Sequence, residues 1–230
     1  MKGSGKKISV IFYGPQGSGK GTQAKLLADR FNLFHLDTGD YLRKILYDPR
    51  FQKTKIVQRE RKINEAGKLN TPSWVLKTIS KRIKELINLG QSIIMSGSPR
   101  TLYEAFREKG NDGEIAILTK DYGKKNVFIF MLDIPEHESY KRNLNRYNCS
   151  VWKTPLLGSL KFKNCPFCGG KLIHRVDDNR RSISVRLKEY NERTTPIFKE
   201  LKKRGYQFYK IDGTPAPYKI HQRIVSLLEK

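Results

Sequence analysis

The 230-residue sequence predicts an α/β fold, a parallel five-stranded sheet covered by helices. Three observations carry that expectation. Short apolar runs rich in β-branched residues recur at 8–13, 92–95, 127–132 and 206–211, with a weaker fifth, "LFHLD", at 33–37. Segments with helical spacing lie between them. The first apolar run, "ISVIFYG", passes straight into a glycine-rich turn, "PQGSGKGT", that opens a helix.

Taken in order, Ala24, Leu27, Ala28 and Phe31 line one face of the helix after that turn. In 73–89, Val75, Ile79, Ile83 and Ile87 repeat every four residues, with Pro72 placed to start the helix. Residues 180–203 form a long helical stretch with an expected bend at Pro196, and 217–228 form the last helix. There are no internal repeats. One region, 145–178, is rich in Lys, Asn, Cys, Pro and Gly and breaks the strand–helix rhythm, as an inserted lobe would.

Composition excludes several classes. At 37% hydrophobic residues the chain can bury a core, and no stretch approaches the roughly 18 apolar residues of a membrane helix. The N-terminus lacks a signal-peptide apolar region, so the expected location is cytoplasmic. Cys149, Cys165 and Cys168 are an odd number with one CxxC pair, a pattern that favours metal over disulfide in a reducing compartment. Lys+Arg 46 against Asp+Glu 22 gives a formal charge of +24, a field that attracts phosphates. No basic tail and no aromatic-interleaved basic strand accompanies it, so no specific nucleic-acid partner is expected.

The glycine turn carries the chemistry. A strand feeding such a turn into a helix aims backbone N–H groups at one point, where the helix dipole adds positive potential. Gly14, Gly17, Gly19 and Gly21 leave room for a triphosphate, and Lys20 would reach its terminal phosphates. The hydroxyl sits one place later than in the commonest phosphate loop, because Gly21 stands between Lys20 and Thr22.

"GPQGSGKGTQ" resembles the phosphate loop of adenylate kinases, and the likeness runs along nearly the whole chain. "LDTGDYLR" at 36–43 resembles the segment that receives the nucleoside monophosphate, and "GKLNTP" at 67–72 the end of that small lobe. "SGSPRT" at 96–101 is similar to the family's Asp-Gly-Phe-Pro-Arg-Thr motif. "RNLNR" at 142–146 and "HRVDDN" at 174–179 resemble the entry and exit of its lid. "VRLKEY" at 185–190 resembles the helix after the lid, and "IDGT" at 211–214 the last strand and the loop that touches ATP.

The resemblance implies a single kinase domain over 1–230: a core of 7–36, 71–144 and 179–230, an acceptor-binding lobe at 37–70 and a lid at 145–178. It implies a P-loop NTPase-type sheet and the reversible reaction ATP + AMP = 2 ADP in a monomer, with Mg²⁺ carried by ATP. Gly17, Ser18, Gly19, Lys20, Gly21, Thr22, Arg142, Arg146 and Gly213 would bind ATP. Thr38, Arg43, Lys68, Leu69, Asn70, Gly97, Arg100, Glu104, Arg175 and Arg186 would bind the acceptor. Lys20, Arg100, Arg142, Arg146, Arg175 and Arg186 would be catalytic, since transfer between two anions needs alignment, charge neutralisation and exclusion of water rather than a protein nucleophile. Each arginine fork matches phosphate oxygens, although any one of them alone reads as a solvated surface charge.

Three departures from the family pattern stand out. Ser96 replaces the aspartate that orders water around Mg²⁺, so metal handling is expected to be weaker, with Asp40 as a candidate to share the task. Glu104 replaces the glutamine that reads adenine; a carboxylate only accepts hydrogen bonds, which keeps GMP or another monophosphate as an alternative acceptor to AMP. The lid's "NCSVW" and "NCPFCGG" offer Cys149, Cys165 and Cys168 to zinc, but Trp152 stands where a fourth ligand would. His174 is the nearest candidate for that ligand. His35, His137 and His221 are isolated and read as packing or surface residues. A nucleotide switch that binds RNA is the rival reading from another class; it would have no use for Thr38, Arg43 and Arg100. A small-metabolite kinase has no reason to keep "TGDYLR".

Overall fold

The computed structural model describes residues 7–107, 113–151, 155–157, 162–174 and 178–229. The chain enters through β1 (Ser9–Tyr13), buried along its whole length. Successive strand side chains point to opposite faces. Ile8, Val10 and Phe12 therefore join one core layer, with Leu27, Ile94, Phe130 and Ile224. Ile11 and Tyr13 join the other, with Ile79, Ile83, Ile115 and Ile197. A central strand buried on both faces is what a parallel sheet between two helical layers requires.

After β1 come α1 (Lys20–Phe31), β2 (Phe34–Asp37) and α2 (Thr38–Leu46). A short 3-10 turn at Pro49–Phe51 leads to α3 (Lys55–Glu65). The chain continues through α4 (Pro72–Asn88), β3 (Ile93–Ser96), α5 (Leu102–Phe106), α6 (Glu114–Tyr122), β4 (Val127–Asp133) and α7 (Glu136–Leu144). Then follow β5 (Arg146–Cys149), β6 (Pro155–Leu157), β7 (Leu172–Ile173), α8 (Arg180–Glu189), α9 (Pro196–Lys203), β8 (Tyr209–Asp212) and α10 (Pro217–Leu228). The five-stranded sheet has the order β2-β3-β1-β4-β8 and every pairing is parallel. β5, β6 and β7 form a separate antiparallel sheet in the order β6-β5-β7, within the segment that breaks the sequence rhythm. Among the described residues no helix is long and apolar enough to cross a membrane.

The structure shifts three expectations. In α4 the buried positions are Val75, Leu76, Ile79, Ile83 and then Leu86, with Ile87 only packed against the edge of the core. A helix turns every 3.6 residues, so a strict four-residue spacing drifts off the buried face within three turns. The last strand starts at Tyr209 rather than at 206, because Tyr206 and Phe208 pack their rings into the core before pairing begins. The stretch 180–203 is two helices joined by a π-helical turn at Tyr190–Thr194. Pro196 has no N–H to continue the ladder, and the Thr195 N–H reaches back five residues to the Tyr190 carbonyl at 2.9 Å.

Candidate active site

β1 runs into Gly14 (φ 143°), where a Cβ would overlap the Leu132 carbonyl on β4. The turn that follows is fastened from two sides. Ser139 Oγ on α7 donates to the Gln16 carbonyl at 2.7 Å, and Gln16 Nε2 donates to the Ile183 carbonyl on α8 at 2.7 Å. Gly19 (φ 93°) is the residue before α1, and neither it nor Gly21 has any atom within 4 Å of where a Cβ would be. α2, α5 and α8 are each capped by a side chain, from Asp37, Thr101 and Asn179. α1 has no side-chain cap and no acidic residue in its first turn. Its first N–H groups lie at the positive end of a 12-residue helix without a side-chain cap, a position that favours an anion.

Lys20 completes the loop. Its ammonium donates to the carbonyls of Gly14 and Pro15, both at 2.7 Å. Burial lowers its pKa to about 7, aided by the charges of Arg100, Arg186 and Arg146 and opposed by Asp37. Three arginines from distant parts of the chain thus act on one buried lysine, an unfavourable field that an anionic ligand relieves.

Each arginine is held differently. Arg100 Nε donates to the Gly97 carbonyl at 2.6 Å, and Thr194 Oγ1 donates to the Arg100 carbonyl at 2.8 Å. Arg146, at the start of β5, makes a fork on Asp178 with contacts of 2.6 to 2.9 Å, and Arg186 of α8 lies 3.8 Å from the same carboxylate. Asp178 therefore gathers two of the expected catalytic arginines, a role that sequence reasoning missed; an acid amid the basic "HRVDDNRR" was its signal. Arg142 donates to the carbonyls of Gly17 (3.2 Å), Gly213 (2.8 Å) and Thr214 (3.0 Å) and to Glu138. It ties the glycine turn to the loop after β8, where Gly213 packs against the Ser18 carbonyl. Arg175 lies outside the described residues, as does Trp152.

On the acceptor side, Thr38 is fully buried and donates to the Ser96 carbonyl at 3.2 Å; the Gly97 backbone (φ 102°) passes beside it and Arg100. Arg43 lies 3.9 Å from Asp40. Asn70 is buried and donates to the Glu60 carbonyl at 2.8 Å, pinning α3 to the start of α4, with Leu69 half-buried and Lys68 exposed beside it. Glu104 is 2% exposed and accepts the Arg100 N–H at 2.7 Å and the Thr101 hydroxyl at 3.0 Å. Its carboxylate is thus turned toward the Arg100 loop. Burial raises its pKa, and burial together with the Glu104 charge raises Glu114 well above its ordinary value. Ser98 Oγ donates to Glu114 at 2.6–2.7 Å. His35, read from sequence as isolated, instead hydrogen-bonds Ser96 Oγ through Nε2 at 2.8 Å.

In the β5–β7 region the sulfurs of Cys149, Cys165 and Cys168 all lie within 4.8 Å of one another. The Cys165 N–H donates to the Gly170 carbonyl at 2.8 Å, and a Cβ on Gly170 would stand 3.3 Å from Cys149 Sγ and 3.4 Å from Cys168 Sγ. Three thiols gathered this closely suit a soft, thiophilic cation. His174 is not part of this group; its ring packs on Tyr147 with centroids 4.1 Å apart.

A parallel sheet whose first strand runs into an anion-seeking turn, with arginines converging on the turn's lysine, defines a P-loop phosphotransferase. The chain belongs to the adenylate kinase family, whose model matches residues 12–206. It is 30% identical over 226 residues to an adenylate kinase of Petrotoga mobilis, covering 96% of this chain and 97% of that one. It is 27% identical to an adenylate kinase of Archaeoglobus fulgidus, covering 97% and 99%, and 28% identical to one of Methanothrix thermoacetophila, with the same coverage. It is a nucleoside monophosphate kinase.

Proposed function

We propose that the protein catalyses the reversible transfer of the terminal phosphoryl group of Mg-ATP to AMP, giving two ADP. The observation that supports this most is the convergence of Arg100, Arg146 and Arg186 on Lys20 beside an uncapped helix start. ATP phosphates would lie on the amides of Gly17 to Thr22, with Lys20 leaving its two carbonyl partners for the phosphate oxygens. Arg43 and Arg100 would grip the acceptor phosphate from the Thr38 side, near Lys68, Leu69, Asn70 and Gly97. Arg146, Arg175 and Arg186 would spread charge over the transferring group, and Arg142 would hold the glycine turn and Gly213 in register. Segments 37–70 and 145–178 would close over the pair to keep water out. Magnesium, arriving with ATP, would neutralise charge on the donor phosphates.

The thiol cluster would hold a structural zinc ion through Cys149, Cys165 and Cys168, with a fourth ligand from solvent or from residues outside those described. AMP rather than GMP is the favoured acceptor, because the Arg100 N–H and the Thr101 hydroxyl each hold one oxygen of the buried Glu104 and so turn its carboxylate toward the Arg100 loop rather than toward a guanine edge. The test is ADP formation from ATP with AMP, GMP, CMP or UMP, with no nucleic acid added. AMP should be the best acceptor. Absence of turnover with every monophosphate would defeat the reading and favour a nucleotide switch.

A further inference from the structure

Ser96 ends β3 without a charge, and its hydroxyl is partly spent on His35 Nε2 at 2.8 Å. The phosphate loop still needs a carboxylate if a hydrated divalent cation is to be held beside the donor phosphates. Most acids around the loop are committed elsewhere. Asp178 holds Arg146, Asp212 accepts from Thr214, Asp133 pairs with Lys210 at 2.7 Å, and Asp40 pairs with Lys44 at 2.9 Å and Arg43 at 3.9 Å.

Asp37 is different. It ends β2 and is the register partner of Ser96 across the parallel pair, so its side chain leaves the sheet on the same face. It is exposed, and its charge is the acidic one that acts on Lys20 against the three arginines. One oxygen, Oδ1, accepts the Asp40 N–H at 2.9 Å, which fixes the carboxylate's direction while the other oxygen has no hydrogen-bond partner among the described residues. We infer that Asp37 supplies the carboxylate that receives the water shell of the Mg²⁺ bound to ATP, so that this duty sits on β2, one strand over from Ser96. The inference rests on the kinase reading above.

Asn caps a helix as well as Asp does, so Asp37→Asn removes the charge and keeps the bond to Asp40 N–H. The Mg²⁺ concentration for half-maximal ADP formation should rise about tenfold, as is usual when a group ordering a metal's surroundings is lost. Adding Ser96→Asp to that variant should bring it back within about twofold of wild type, a rescue that a purely structural role for Asp37 does not provide. A change below twofold in Asp37→Asn, a larger change in Asp40→Asn, or failure of the double variant to recover would overturn the inference. ATP binding measured calorimetrically with and without Mg²⁺ gives a readout independent of turnover. If wild type forms no ADP, the kinase reading falls. Loss of the Mg²⁺ enhancement of ATP binding in Asp37→Asn would still uphold the Asp37 assignment, and an unchanged enhancement would overturn it.

Discussion

Binding of ATP should draw a proton from solution onto Lys20. With a pKa of about 7 in the free protein, the amine is about nine-tenths neutral at pH 8 and about one-tenth neutral at pH 6. The shift arises chiefly from burial and then from the positive charges of Arg100, Arg186 and Arg146. A polyphosphate on the loop reverses the charge contribution and returns the group toward its ordinary value of 10.5. Uptake at pH 8 should therefore be about 0.9 proton per ATP, and affinity should fall about tenfold between pH 8 and pH 9. The phosphates contribute little there, because their last proton is already lost well below pH 8. Calorimetric titrations in buffers of different ionisation enthalpy measure this number directly. Lys20→Arg is the control: a guanidinium stays charged throughout, so uptake should drop to about zero while the anion site keeps its charge. Binding enthalpies independent of buffer in the wild type at pH 8 would refute the argument that burial and the neighbouring arginines hold this amine's pKa down.

Asp178→Ala should release Arg146 and Arg186 together, lowering stability by about 2 kcal/mol and raising the KM for both nucleotides, as seen by chemical denaturation and steady-state kinetics. Glu114 has a folded-state pKa raised well above 4.5 by burial and then by Glu104, so its contribution to stability is largest at low pH and is lost as pH rises past 4.5. Glu114→Gln should flatten that decline, with a melting temperature above wild type at pH 8 and close to it at pH 4.5. Glu104→Gln should leave the preference among AMP, GMP, CMP and UMP unchanged and act instead through the Arg100 loop, seen as a higher KM for the acceptor. Protein purified without chelator should carry about one zinc per chain by elemental analysis, and Cys165→Ser should lose it.

The strands and the phosphate loop were legible because their signals are local. A short apolar run, a glycine turn and a following helix all lie within one continuous stretch, and β1 to α1 follows them almost residue by residue. Arg100, Arg146 and Arg186 lie far apart in the sequence, yet the charge of each acts on Lys20. What the sequence hid depends on partners far away along the chain. Asp178 reaches Arg146 across 32 positions, and Ser98 reaches Glu114 across 16. No periodicity encodes such pairings. His35 read as isolated because the neighbour that gives it a role, Ser96, lies on the next strand, 61 residues on. The start of β8 was misplaced because aromatic residues before a strand look alike whether they pair or only pack.

The proposed reaction requires two nucleotides to meet phosphate to phosphate within one chain. A dinucleoside polyphosphate carrying two adenosines, titrated calorimetrically, tests this most directly. It should bind one per chain and exclude both ATP and AMP. Binding that displaces ATP alone and leaves the AMP affinity untouched would contradict it.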